Sequence, residues 1–153
     1  MSKEFKSKID VQSESFLKNR AEMLKKIKEM RNLEKRSFNA SESKRKKFED
    51  RNQLTPRERL NALIDPDSEF IELYNMAGFL VEDNNPETSI PGASVIAGIG
   101  FIKGVRCMIM VDDSGINAGA ATSTTVDKCV GCLEISLEKK LPFVHLVESA
   151  GIN

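Results

Sequence analysis

Two loops rich in glycine and alanine are the segments of this sequence best suited to backbone chemistry. One covers residues 115–121 and the other residues 149–151, and each follows an apolar stretch that favours a strand. Small side chains let a backbone approach a ligand closely, and free N–H groups at a helix start can hold a phosphate or a developing oxyanion. Close packing of two backbones is the alternative explanation for the same residues.

Side-chain chemistry has fewer candidates. The glycine patterns of nucleotide-binding loops, G-x-G-x-x-G and G-x-x-x-x-G-K-[ST], are absent. His145, the one histidine, lies in an apolar run, and no Ser-His-Asp arrangement is evident. Asp112 and Asp113 could bind a metal, although acids in loops are more often solvated or cap helices.

The three cysteines predict core packing. Cys129 and Cys132 form a C-x-x-C pair, but residues 126–137 have a helical pattern and no second ligand pair accompanies them. Cys107 also has apolar neighbours. We therefore expect small buried thiols, without zinc and without a disulfide.

Composition indicates a globular protein of one domain with an extension. The chain has 153 residues, of which 40% are hydrophobic and 30% charged. No apolar stretch is long enough to cross a membrane, and the charged N-terminus has neither a signal-peptide core nor a recognisable transit peptide. The expected location is cytoplasmic, or the mitochondrial matrix for a eukaryotic source.

Charge divides the chain unevenly. Residues 1–60 carry 18 Lys or Arg and 10 Asp or Glu, whereas residues 61–153 carry 5 and 13. We describe residues 1–53 as the arm. A helix is predicted over residues 13–36, because Phe16, Met23 and Met30 recur every seventh residue, and residues 37–53 are a linker or a continuation of that helix. A basic arm could meet nucleic acid, an anionic cofactor or an acidic partner, but its mixed charges favour a solvated helix that packs on the body or on another subunit.

The rest of the chain, residues 54–153, predicts an α/β fold. Thr55, Pro56 and Glu58 start a short helix, and residues 70–73 favour a strand. Residues 94–102 and 105–111 predict a hairpin, residues 123–138 a helix, and residues 143–147 a strand that is apolar on both faces, as in a sheet covered by helices. Two glycines in the first hairpin strand suggest a bulge or a close backbone approach.

Four segments in this order resemble the β subunits of biotin-dependent acyl-CoA carboxylases. They are residues 55–73 (TPRERLNALIDPDSEFIEL), the hairpin 98–113 (GIGFIKGVRCMIMVDD), the loop 115–121 (GINAGAA) and residues 141–151 (LPFVHLVESAG). The resemblance extends over residues 13–153. It leans toward the methylcrotonyl-CoA and geranyl-CoA branch, although propionyl-CoA carboxylases and biotin-dependent decarboxylases share most of it.

The resemblance implies a partial crotonase-like domain that moves a carboxyl group from carboxybiotin to an acyl-CoA. By the same likeness, Ala150 and Gly151 match the small pair whose N–H groups form an oxyanion hole, while Gly115, Gly119 and Ala120 lie in the loop that lines the CoA side. The implied partners are an acyl-CoA, a biotin carboxylase, a biotin carrier and further copies of the chain. No metal, nucleic acid or membrane is implied.

Departures from the family pattern leave alternatives open. Ile152 stands where the family usually has alanine, and Gly115 and Gly119 are not the adjacent glycine pair of the family loop. The resemblance also implies much more sequence after Asn153, so we expect this chain alone to be inactive. A non-catalytic remnant, a subunit-binding piece and a decarboxylase subunit are the other functions considered.

Overall fold

The computed structural model describes residues 6–151. Its contacts divide the chain into two compact units, Met1–Asn32 and Leu33–Asn153. Four α-helices are present in the described part: α1 (Glu14–Glu42), α2 (Arg45–Glu49), α3 (Pro56–Leu63) and α4 (Ser123–Lys139). The strands are β1 (Ile71–Glu72), β2 (Val95–Ile102), β3 (Val105–Asp112) and β4 (Phe143–Leu146), and Asn117–Gly119 form one turn of 3-10 helix. None of the helices in residues 6–151 is long and apolar enough to cross a membrane.

Helix α1 continues past the predicted end at residue 36. Its last turns belong to the second unit, where the Arg36 guanidinium donates to the carbonyl of Ser89 at 3.2 Å. Near its C-terminus, Ser41 is buried and donates its hydroxyl to Asp113 Oδ1 at 2.7 Å. These tertiary contacts stabilise a polar stretch that local propensity leaves undecided. In the first unit, the predicted apolar stripe is exposed at Met23, Ile27 and Met30.

Helix α3 begins with the predicted capping box. The Thr55 hydroxyl accepts the Glu58 N–H at 3.3 Å, and the Glu58 carboxylate accepts the Thr55 N–H at 2.8 Å. Pro56 occupies the first turn, where its missing N–H costs no hydrogen bond. A side-chain cap of this kind stabilises a helix by about 1 kcal/mol.

The four strands form one mixed sheet in the order β1-β2-β3-β4. β1 pairs with β2 and β2 with β3 in antiparallel fashion, whereas β3 and β4 are parallel and α4 connects them. The hairpin, the helix and the final strand therefore confirm the order predicted from the sequence. The pairing of β2 with β3 runs without a bulge from Val95–Asp112 to Ile102–Val105.

Strand β3 lies between two apolar layers. On one face, Cys107, Ile109 and Val111 cluster with Leu60 of α3. On the other face, Met108 and Met110 pack with Val95 and Ala97 of β2 and with Cys132 of α4. Cys107 and Cys132 are thus core thiols, while Cys129 is half-buried against the second layer.

Two glycines of β2 give the first layer its close packing. A Cβ on Gly98 would lie 2.4 Å from the carbonyl oxygen of Ile71 and 2.5 Å from the Phe70 ring, and one on Gly100 would lie 3.1 Å from the same ring. The expected close approach therefore explains Gly98, where a Cβ would clash with a backbone oxygen, whereas at Gly100 the Phe70 ring would have to shift by a few tenths of an ångström.

The expectation that the strand over residues 143–147 is covered on both faces was wrong at Val144 and Leu146. Both are half-buried, because β4 is the edge strand of the sheet and has a neighbour on one side only. The strand covered on both faces is β3, whose residues from Cys107 to Asp112 are all buried.

Lys128 is a buried cation of α4 that holds the start of β2. Its side chain is 2% exposed, and its Nζ donates to the carbonyls of Gly92 at 3.1 Å and Val95 at 2.7 Å. Burial lowers the pKa of Lys128 from its ordinary 10.5 to about 8, because the ammonium form loses hydration.

The pH dependence of stability tests whether burial lowers the pKa of Lys128. A folded-state pKa below the unfolded value means that the unfolded state binds more protons between pH 8 and 10.5, so the free energy of unfolding should rise over that window. The contribution is on the order of 3 kcal/mol. Denaturant titrations at several pH values should show that the free energy of unfolding rises with pH more steeply for wild type than for K128M, since K128M lacks the titrating group. Parallel curves for the two proteins across the window would contradict it.

Candidate functional site

The two small-residue loops meet at one edge of the sheet. Because β3 and β4 are parallel, the segments after their carboxyl ends leave the sheet side by side. Two backbone hydrogen bonds join them: the Ala150 N–H donates to the Ala118 carbonyl at 3.1 Å, and the Ala121 N–H donates to the Gly151 carbonyl at 2.9 Å. The fold therefore brings Gly119, Ala120, Ala150 and Gly151 into one place.

Gly119 makes this loop contact possible. Its φ is +70°, and a Cβ at this position would lie 2.3 Å from the carbonyl oxygen of Glu148. Ala118 beside it also has a positive φ, of 53°. Close backbone packing, one of the two explanations open for the sequence, accounts for the glycine at position 119.

Gly115 has different neighbours. A Cβ there would lie 2.8 Å from the Ser41 hydroxyl of α1, and its N–H donates to Asp113 Oδ1 at 3.1 Å. Ala120 is held by its own loop and by the residue before β2: its N–H donates to the Asn117 carbonyl at 2.9 Å, and its carbonyl accepts the Ser94 hydroxyl at 3.0 Å.

Both candidate oxyanion donors are engaged within the chain. The Ala150 N–H is directed at the Ala118 carbonyl, and the Gly151 N–H donates to the Ser149 hydroxyl at 3.0 Å. A ligand oxygen would have to replace these acceptors to receive the same hydrogen bonds. The family departure at Ile152 lies outside the described residues.

The paired acids hold loops in place. Asp112 receives the Glu148 N–H at 2.9 Å on one oxygen, and its other oxygen lies 2.8 Å from His145 Nε2. Burial acts to raise the pKa of Asp112, but the hydrogen bonds from His145 and Glu148 outweigh it and keep that pKa below its ordinary value. For Asp113, burial dominates and raises the pKa despite hydrogen bonds from Ser41 and Gly115. No cluster of three or more His, Cys, Asp or Glu side chains within residues 6–151 is arranged to hold a metal ion.

A basic cavity opens beside the loop junction. Its volume is about 270 Å³, and the lining includes Ala118 and Ala150 together with three cations, Lys44, Lys47 and Arg51, and one acid, Glu148. These cations were not among the predicted site residues, because the charged sequence around them is typical of a solvated helix face. Only the fold shows that α2 brings them beside the loops.

An apolar cavity also adjoins the junction. It also measures about 270 Å³, and Val126, Val130 and Val147 line it together with Gly119 and Ser149. The two loops therefore contribute residues to a cationic cavity and to an apolar one. This arrangement can accept a ligand with an anionic end, a polar middle and an apolar end.

Substitution of Gly119 should test the loop contact. We expect G119A to lower the free energy of unfolding by roughly 2–4 kcal/mol, because the new methyl group meets a backbone oxygen and the φ is unfavourable. G104A is the matched control, since Gly104 also has a positive φ, of +76°, but open space around the added Cβ. It should cost about 1 kcal/mol. Equal losses for the two variants in urea titrations would show that the loop contact does not matter.

Comparison with known proteins finds relatives among the acyl-CoA carboxylase β subunits. Residues 47–153 match the model of the carboxyl transferase domain. The chain is 41% identical over 101 residues to a probable biotin-dependent acyl-coenzyme A carboxylase β2 subunit of Mycobacterium tuberculosis, covering 66% of this chain and 18% of that protein. It is 35% identical over 144 residues to the mitochondrial methylcrotonoyl-CoA carboxylase β chain of Arabidopsis thaliana, covering 94% and 24%.

Solved structures give the fold. The β subunit of P. aeruginosa geranyl-CoA carboxylase is 40% identical, with a TM-score of 0.88 over 97% of this chain and 27% of its own. The transcarboxylase 12S structure with methylmalonyl-coenzyme A has a TM-score of 0.70 at 25% identity, covering 87% and 26%. This chain thus spans about a quarter of the length of these relatives. Their crotonase-like fold confirms the predicted fold class, and the chain belongs to the carboxyl transferase domain family.

Proposed function

We propose that this chain forms the acyl-CoA side of a biotin-dependent carboxyltransferase site. The observation that carries the proposal is that the two loops line both a cavity with three cations and an apolar cavity. An acyl-CoA has the matching order of parts: anionic phosphates, a thioester and an apolar acyl group. Family membership supports the same ligand, since the matched relatives are named as acyl-CoA carboxylase subunits.

The cationic cavity suits the phosphates of CoA. Lys44, Lys47 and Arg51 present ammonium and guanidinium groups that form charge-assisted hydrogen bonds with phosphate oxygens. The thioester would then lie at the junction of the loops, where Ala118 and Ala150 have only methyl side chains. In the apolar cavity, Val126, Val130 and Val147 would contact the acyl group, which favours a branched, apolar chain.

Backbone donors suit the chemistry of carboxyl transfer. When the acyl carbon next to the thioester becomes a nucleophile, negative charge develops on the thioester oxygen, and N–H groups stabilise that charge without a titrating side chain. Ala150 and Gly151 are the proposed donors, once the thioester oxygen has replaced the Ala118 carbonyl and the Ser149 hydroxyl. Carboxybiotin, brought by a biotin-carrying partner, is the second substrate and supplies the carboxyl group. We also propose that the chain assembles with further copies of itself.

Binding of CoA tests the cationic cavity. The triple variant K44Q/K47Q/R51Q should weaken CoA binding at least about tenfold, since three charge-assisted contacts are lost. The matched control is K25Q/K26Q/K28Q, which removes the same charge from an exposed part of α1. Calorimetric titrations at one salt concentration compare the variants with wild type. An equal loss in both would indicate general charge attraction, and no binding by wild type would refute the proposed ligand.

We expect no carboxyl transfer by the 153-residue chain alone. Its two candidate oxyanion donors are engaged internally, and it spans about a quarter of its relatives' length. The assay combines the chain with biotin carboxylase, a biotinylated carrier, ATP, bicarbonate and, separately, propionyl-, methylcrotonyl- and geranyl-CoA. Biotin-dependent turnover above a control without the chain would contradict the expectation.

A further inference from the structure

The carboxylate, the N–H and the carbonyl of Glu148 all contact other residues. Its carboxylate forms an ion pair with Arg59 of α3 and accepts the Ser114 hydroxyl at 2.7 Å. Its N–H donates to Asp112 Oδ2 at 2.9 Å, and its carbonyl faces Gly119. Helix α3 and the segment 112–119, which are far apart in the sequence, therefore both contact the residue that precedes Ser149.

The Arg59–Glu148 pair is shielded more than an ordinary surface ion pair. The two side chains are 19% and 29% exposed, and 89 residues separate them along the chain. Exposed pairs contribute little because water and salt screen them, whereas shielding and additional hydrogen bonds make a pair more effective at fixing geometry. Asp112 adds a further restraint and is itself held by His145.

We propose that Arg59 and Asp112 are positioning residues, which set the direction of the loop 149–151 by fixing Glu148. With its N–H and carboxylate both held, the Glu148 peptide cannot rotate, so the chain leaves β4 in one direction. That direction brings the Ala150 N–H to the Ala118 carbonyl and the Gly151 carbonyl to the Ala121 N–H. The functional meaning rests on the proposed acyl-CoA site, but the positioning itself is a property of the chain without ligand.

Helix α3 provides a matched comparison. Arg57 forms an ion pair of the same chemistry with Glu72, at 3.0 and 3.1 Å, with side chains 32% and 27% exposed. That pair joins α3 to β1, on the side of the sheet order away from β4. R57M and R59M thus remove equivalent charges from one helix, but only R59M removes a contact of Glu148.

The experiment measures amide hydrogen exchange residue by residue in the full 153-residue chain, labelled with ¹⁵N and without ligand. R59M should speed exchange at Ala150 and Ala121 about tenfold relative to wild type, with less than about a twofold change at Met108 and Met110 of β3. R59K should restore part of the protection, because it keeps the charge without the guanidinium geometry. R57M should leave both loop amides within about twofold of wild type.

A second variant keeps the test decisive if R59M does not fold. S114A removes one hydrogen bond to Glu148 with a minimal change of shape, and it should also speed exchange at Ala150 and Ala121. Unchanged loop amides in R59M or S114A, or equal changes in R57M and R59M, would overturn the proposal. CoA titration of the same samples separates the proposed acyl-CoA site from the proposed positioning role. Absence of CoA binding would refute the acyl-CoA site, whereas the positioning role is tested by the exchange rates alone.

Discussion

The parallel pairing of β3 with β4 is the constraint on which the rest of the second unit depends. Parallel neighbours need a crossover, and α4 provides it while covering one face of the sheet. Because both strands then end at the same edge, two loops distant in sequence become adjacent. The glycine at position 119 and the ion pair of Glu148 both stabilise this junction.

Local patterns in the sequence were sufficient for most elements. The capping box at Thr55, the hairpin through Lys103 and Gly104, and the end of α4 before Pro142 each depend on residues close together in the chain. The small-residue loops could also be recognised, because glycine and alanine after an apolar strand have few other uses.

Long-range features could not be predicted in the same way. Lys128 has the sequence signature of a solvated helix charge, and only the tertiary structure shows its two carbonyl acceptors. The half-exposure of β4 depends on the sheet order, and the full length of α1 depends on the contact of Ser41 with Asp113. The basic cavity likewise exists because α2 folds against the loops, which no local pattern encodes.

The two buried cysteines have a practical consequence. Cys107 lies in the layer between the sheet and α3, and Cys132 lies in the layer beneath α4. Thiol reagents can reach each sulfur only when its own layer opens, so labelling rates at the two positions report on the two halves of the core separately. The native chain thus carries an intrinsic pair of probes that can show whether its two layers loosen together or one at a time.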